Sequence, residues 1–173
     1  MLRSILIGIA QTGIFRAQWT RQINEEWIRE LAENRPDLSM PNIRRTADLM
    51  NKAIRDCLIE GHENLIECLE LPDPNDRHVL AAAIQGRADA IVTFNLKDFP
   101  AAYLEKYQIE PLHPDDFLIN QIDLVQGPVL PAIHEQRTVL KNPPISAEDL
   151  VSNLEKRGLP QTAARLRSLK MLI

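Results

Sequence analysis

Asp76 and Asp98 are the residues of this chain whose type and spacing point most directly to chemistry. Asp73-Pro-Asn-Asp76 stands before the run His78-Val-Leu-Ala-Ala-Ala83, so Asp73 suits a helix N-cap, Pro74 the first helical position and Asp76 the first turn. Ala90-Ile-Val-Thr93 is short and β-prone, and Asn95 and Asp98 fall just beyond its carboxyl end, where open parallel sheets bind ligands. If that helix start and strand end meet, Asp76 and Asp98 share one small volume. Like charges crowd in this way only when something positive compensates them, and a hard divalent cation is the economical candidate. The same acids equally suit plain helix caps and dipole partners, and spacing alone leaves both alternatives open.

The elements that must position these acids alternate along the chain. Helical patterns run over 1–12, 20–33 and 41–58, with Asp37-Leu-Ser-Met-Pro41 punctuating the last two. Short apolar runs near Phe15, Leu65 and Ile91 suit strands, and their alternation with helices predicts an α/β core with a parallel sheet. After Leu118 the pattern changes. Gly127-Pro128 and Pro131 interrupt an apolar run that leads into a helix ending at Lys141, and Asn142-Pro-Pro-Ile-Ser146 is a break. Ser146 with Asp149 predicts a capping box, Gly158 a helix end, and Pro160 the start of a last helix carrying Ala163, Leu166 and Leu169. The expected division is therefore a domain over 1–118 and a helical C-terminal extension over 119–173.

The chain's 173 residues and 45% hydrophobic content allow one domain of ordinary size plus an appendage. The apolar stretch from Met1 to Ala10 is too short to span a membrane and lacks a small-residue cleavage pattern, which predicts an amphipathic or buried helix. Cys57 and Cys68 have no metal-ligand neighbours and predict reduced thiols in a cytoplasmic protein. The net charge of −4 does not advertise a nucleic-acid binder. From Glu135 onward, however, Arg137, Lys141, Lys156, Arg157, Arg165, Arg167 and Lys170 outnumber the acids. Such a tail suits either an RNA backbone or a solvated helix face. Trp19 and Trp27 flank Glu26 and are expected as core aromatics, and His78, two residues past Asp76, as a packing or surface histidine.

The string Leu71-Pro-Asp-Pro-Asn-Asp-Arg-His-Val-Leu-Ala-Ala-Ala-Ile84, followed by Ala88-Asp-Ala-Ile-Val-Thr-Phe-Asn-Leu-Lys-Asp-Phe-Pro100, resembles the second half of a PIN domain, in particular the bacterial VapC-type toxin branch. Trp19-Thr-Arg-Gln-Ile-Asn-Glu-Glu-Trp27 is similar to the family's first-half helix, and Ile109-Glu-Pro-Leu-His-Pro-Asp-Asp-Phe-Leu118 to the segment that closes such domains. The resemblance implies a three-layer α/β/α sandwich with a parallel sheet, and a metal-dependent endoribonuclease using one or two Mg²⁺ or Mn²⁺ ions. By position it implies Glu26, Asp76 and Asp98 as the catalytic, metal-binding acids, with Asp73, Thr93 and Asn95 in support. The family opens with a strand of the form Asp-x-Asn-Val-Leu, whereas this sequence begins at Met1-Leu-Arg-Ser-Ile-Leu, which resembles the helix after that strand. The missing Asp is expected upstream of Met1 or lost from a decaying copy, unless another chain completes the sheet; without it the metal is expected to bind weakly, which leaves both an active and an inactive chain open. The implied partner is an RNA substrate, with no membrane; the amphipathic helices of the tail suit packing on the core, the default, or else a homodimer contact or an antitoxin protein as partner. The alternative is a non-catalytic PIN-like module that binds RNA or protein.

Overall fold

The structure, a computed structural model, describes residues 1–139 and 143–173. Along the chain the elements are α1 (Leu2–Gln11), α2 (Arg21–Asn34), α3 (Met40–Ala53), α4 (Glu63–Ile66), α5 (Arg77–Gln85), β1 (Ala90–Val92), α6 (Ala101–Leu104), β2 (Glu110–Leu112), α7 (Pro114–Leu124), α8 (Gln126–Val139), α9 (Ala147–Lys156) and α10 (Pro160–Ser168). Single 3-10 turns cover Pro74–Asp76 and Glu105–Tyr107. β1 and β2 pair in parallel, with the Glu110 N–H donating to Asp89 O and the Thr93 N–H to Leu112 O, each at 2.9 Å. The fold is thus helix-rich α/β with a small parallel sheet and C-terminal helices.

Two compact units divide the chain. The first gathers residues 1–16, 92–94 and 112–173. Its core joins Ile5 and Ile9 of α1 to Leu118 and Ile122 of α7, Val129 and Ile133 of α8, Leu150 and Leu154 of α9, and Leu166 of α10. Gly8 lets α1 lie close to α8, since a Cβ there would stand 2.7 Å from Gln136 Cγ. α9 opens on the expected capping box: Ser146 Oγ accepts from the Asp149 N–H, and the Asp149 carboxylate accepts from the Ser146 N–H. Gly158 closes the helix region at φ +81° and Pro160 opens α10. Residue 118, where the sequence pattern changes, lies inside α7.

The second unit gathers 17–91 and 95–111. One cluster packs Leu80 and Ala81 of α5 with Leu69, Leu71, Ile91, Phe99, Leu104 and Ile109. Another joins Ile28 of α2 to Ile43 and Ala47 of α3, with Trp27 and Leu31 at its edge.

Several local expectations are corrected. The helix predicted over 41–58 stops at Ala53, because Ile54 turns extended and Asp56 takes φ 55°, a left-handed conformation that aspartate tolerates better than most side chains. The freed residues form a parallel bridge between Trp19 and Leu58. Phe15 is not in a strand; it packs edge-to-face on Phe117 at 4.9 Å. Leu65 lies in α4. Gly127 and Pro128 do not interrupt a helix but stand in the first turn of α8, where a missing N–H costs nothing, and α8 carries Pro131 internally. The expected helix end at Lys141 and the start of the break at Asn142 lie outside the described residues.

Candidate metal centre

Asp73 takes extended backbone angles and its carboxylate accepts from the Asn75 N–H at 2.9 Å, so it caps the 3-10 turn that Pro74 opens. That turn runs directly into α5, with Asp76 at the junction. The Asp76 side chain makes no capping hydrogen bond, so its carboxylate is not used up in starting the helix. Asp98 follows β1 on a loop in which its N–H donates to Asn95 O at 3.3 Å and its carboxylate accepts from Asn95 Nδ2. The amide therefore holds one face of the carboxylate.

Asp73, Asp76 and Asp98 come together. Each offers a carboxylate oxygen, these oxygens lie within 4.8 Å of one another, and all three residues are partly buried. Burial raises the Asp76 pKa above the ordinary carboxylate value, and the charges of Asp73, Asp98 and Glu26 push it in the same direction. Among the described residues no lysine or arginine forms an ion pair with any of the three. Such a set of hard oxygen donors fits a hard divalent cation.

Glu26 stands apart from this trio. It projects from α2, whose N-terminus is capped by Thr20 accepting from the Ile23 N–H. Glu26 Oε1 lies 3.0 Å from His78 Nε2 and accepts from Gln22 Nε2 at 3.2 Å. Its neighbour Glu25 is exposed and held by Arg44 through bonds of 2.7 and 3.0 Å, which lower its pKa. Thr93 is tied to β2 through its backbone, and Asn95 is exposed. The sequence did not disclose the contact of His78. The residue is buried, as a packing histidine would be, but its ring meets Glu26 on α2 and burial lowers its pKa. No local signal marks this pairing, since it depends on α2 and α5 meeting.

The tryptophans are structural, as expected of core aromatics. Trp19 Nε1 donates to Asn51 Oδ1 at 2.8 Å, Trp27 Nε1 to Asn24 Oδ1 at 2.9 Å, and Asn24 Nδ2 to Asn51 Oδ1 at 3.2 Å. This ties α2, and with it Glu26, to α3. Several basic side chains of the C-terminal helices are engaged within their own unit: Arg165 with Asp123, Arg167 with Glu155, and Arg137 with the Ile145 carbonyl. No helix is long and apolar enough to cross a membrane among the described residues.

Comparison with known proteins bears on what this acidic cluster belongs to. A family model described as VapC50 C-terminal domain matches residues 114–168. A Mycobacterium tuberculosis (strain ATCC 25618 / H37Rv) protein named "Putative ribonuclease VapC50" is 46% identical over 109 residues, which make up 63% of each chain. The match thus spans less than two thirds of that relative. No solved structure matches. The model described as PIN domain matches residues 3–97, a stretch that contains Glu26, Asp73 and Asp76 and reaches to just before Asp98. That match takes in more than half of the sequence, and the chain belongs to the PIN domain family.

Proposed function

We propose that this chain is a metal-dependent endoribonuclease of the VapC toxin type, hydrolysing RNA phosphodiesters with one or two Mg²⁺ or Mn²⁺ ions. The observation that carries the proposal is the crowding of Asp73, Asp76 and Asp98 within 4.8 Å without a basic partner among the described residues. Repulsion of this kind is tolerated where a cation is to be held. Asp76 and Asp98 are assigned as metal ligands and Asp73 as their neighbour. Glu26 is a further ligand or positions the attacking water. Asn95 donates to Asp98 and so orients that carboxylate, with Thr93 in a supporting place. When bound, a divalent ion supplies charge stabilisation for the phosphate oxygens and a water of lowered pKa. No serine, histidine or cysteine nucleophile is required.

On this proposal the substrate is RNA in the cytoplasm and the regulatory partner is an antitoxin protein. The test is cleavage of a fluorescently labelled single-stranded RNA by the chain with Mn²⁺, with Mg²⁺ and with EDTA, using Asp76→Asn as the blank. Metal-dependent cleavage lost in Asp76→Asn is the expected result. Cleavage unchanged in Asp76→Asn removes the assigned role. Binding of Mn²⁺ without any cleavage favours a non-catalytic PIN-like module that binds RNA or protein.

A further inference from the structure

His78 is a buried polar residue of α5 that the assigned chemistry does not use. Its side chain is 4% exposed and its Nε2 lies 3.0 Å from Glu26 Oε1. Nδ1 is buried and has no hydrogen-bond partner among the described residues. The polar contact of the ring is thus through Nε2, which stands against the Glu26 carboxylate. Gln22 Nε2 donates to the same carboxylate oxygen at 3.2 Å. Gln22 Nε2 and the Nε2 edge of His78 both stand against Oε1, and among the described residues Oε2 accepts no hydrogen bond. One oxygen is held and the other is left available.

We infer that His78 is a positioning residue: it fixes the Glu26 carboxylate through Oε1 and presents Oε2 towards the metal held by Asp76 and Asp98. The inference rests on the proposed reading of Glu26 as part of the metal centre. The physical basis is that a ligating carboxylate free to rotate loses affinity, whereas one oriented by a neighbouring donor is preorganised. The contact places the orienting group on α5, the helix that begins directly after Asp76, so that one helix and its N-cap carry a ligand and the group that orients a second acid on α2.

The experiment is Mn²⁺ binding to the full chain, read by electron paramagnetic resonance of free Mn²⁺, for wild type, Glu26→Gln, His78→Asn, His78→Gln and the double variant Glu26→Gln/His78→Asn. Glutamine can place a donor near the position of Nε2, whereas asparagine is too short, and both are polar replacements of similar character. Far-UV circular dichroism and a thermal melt establish that each variant is folded. His78→Asn is expected to weaken Mn²⁺ binding about 10- to 100-fold, His78→Gln to restore most of it, and the double variant to bind no worse than Glu26→Gln alone. Wild-type affinity in His78→Asn, or additive losses in the double variant, overturns the inference while leaving Glu26 in place. Equal losses in His78→Asn and His78→Gln, with both folded, show that packing and not the donor matters, and also overturn it. Wild-type affinity in Glu26→Gln, or no uptake of Mn²⁺ by the wild type, overturns the reading of Glu26 itself.

Discussion

Replacing Asp115 with alanine should destabilise the protein although Asp115 is remote in sequence from the helix it serves. α10 has no capping side chain of its own: Leu159 stands at its N-cap and Pro160 opens it. The Asp115 carboxylate fills that role from α7, accepting from the Gln161 N–H at 2.9 Å and the Thr162 N–H at 2.8 Å. Both Asp115 and Thr162 are nearly inaccessible to solvent, at 2% and 1% exposure. Losing a helix N-cap costs about 0.5–2 kcal/mol, and hydrogen bonds to a charged group contribute about 1.5–3 kcal/mol each. Against this, the variant is relieved of burying a charge. A net loss of about 3 kcal/mol is expected for Asp115→Ala and about half that for Asp115→Asn, which keeps one acceptor oxygen. For a chain of this length that corresponds to a melting temperature lower by roughly 6–12 °C in the alanine variant. Urea unfolding followed by far-UV circular dichroism should show a lower midpoint with an unchanged slope. A loss below about 1 kcal/mol in Asp115→Ala would show that water or Pro160 geometry, not the carboxylate, secures the start of α10.

Three further outcomes are expected. Because the Asp76 pKa is raised in the fold, the folded chain holds that proton where the unfolded chain has lost it; the resulting stability is present at acid pH and lost as pH rises through the folded pKa. Asp76→Asn should therefore flatten the fall in melting temperature between acidic and neutral pH, and an unchanged slope would remove the electrostatic account of the cluster. Glu26→Gln should impair Mn²⁺-dependent RNA cleavage strongly while Glu25→Gln, whose partner is the exposed Arg44, should leave it near wild type; equal effects would show that the wrong acid of the pair had been chosen. Ser146→Ala removes the Oγ that accepts from the Asp149 N–H, leaving the backbone arm of the capping box of α9, and should cost about 1 kcal/mol in urea unfolding, with no change in Mn²⁺ binding.

What could be read from the sequence alone was what neighbouring residues impose on one another. Asp73 before Pro74, Ser146 with Asp149, Gly158 and Pro160 act within a few residues through caps, fixed dihedrals and missing donors, and each appears in the structure where the sequence placed it. Ile91 in a short strand followed by Asn95 and Asp98 was legible for the same reason, as was the resemblance to PIN domains carried by those motifs. Tertiary structure alone decided the rest. Phe15 and Leu65 are apolar enough for strands, but a core contact to Phe117 and a turn of helix satisfied them instead, because a three- or four-residue apolar run carries no period that tells strand from helix. The helix from Met40 ended five residues early because Leu58 found a bridge to Trp19. The contact of His78 with Glu26 and the cap that Asp115 gives to α10, 46 residues away, join helices whose approach depends on how whole faces pack. Periodicity tells which face of a helix is apolar; only the packed chain determines which polar side chain at the edge of that face meets which other.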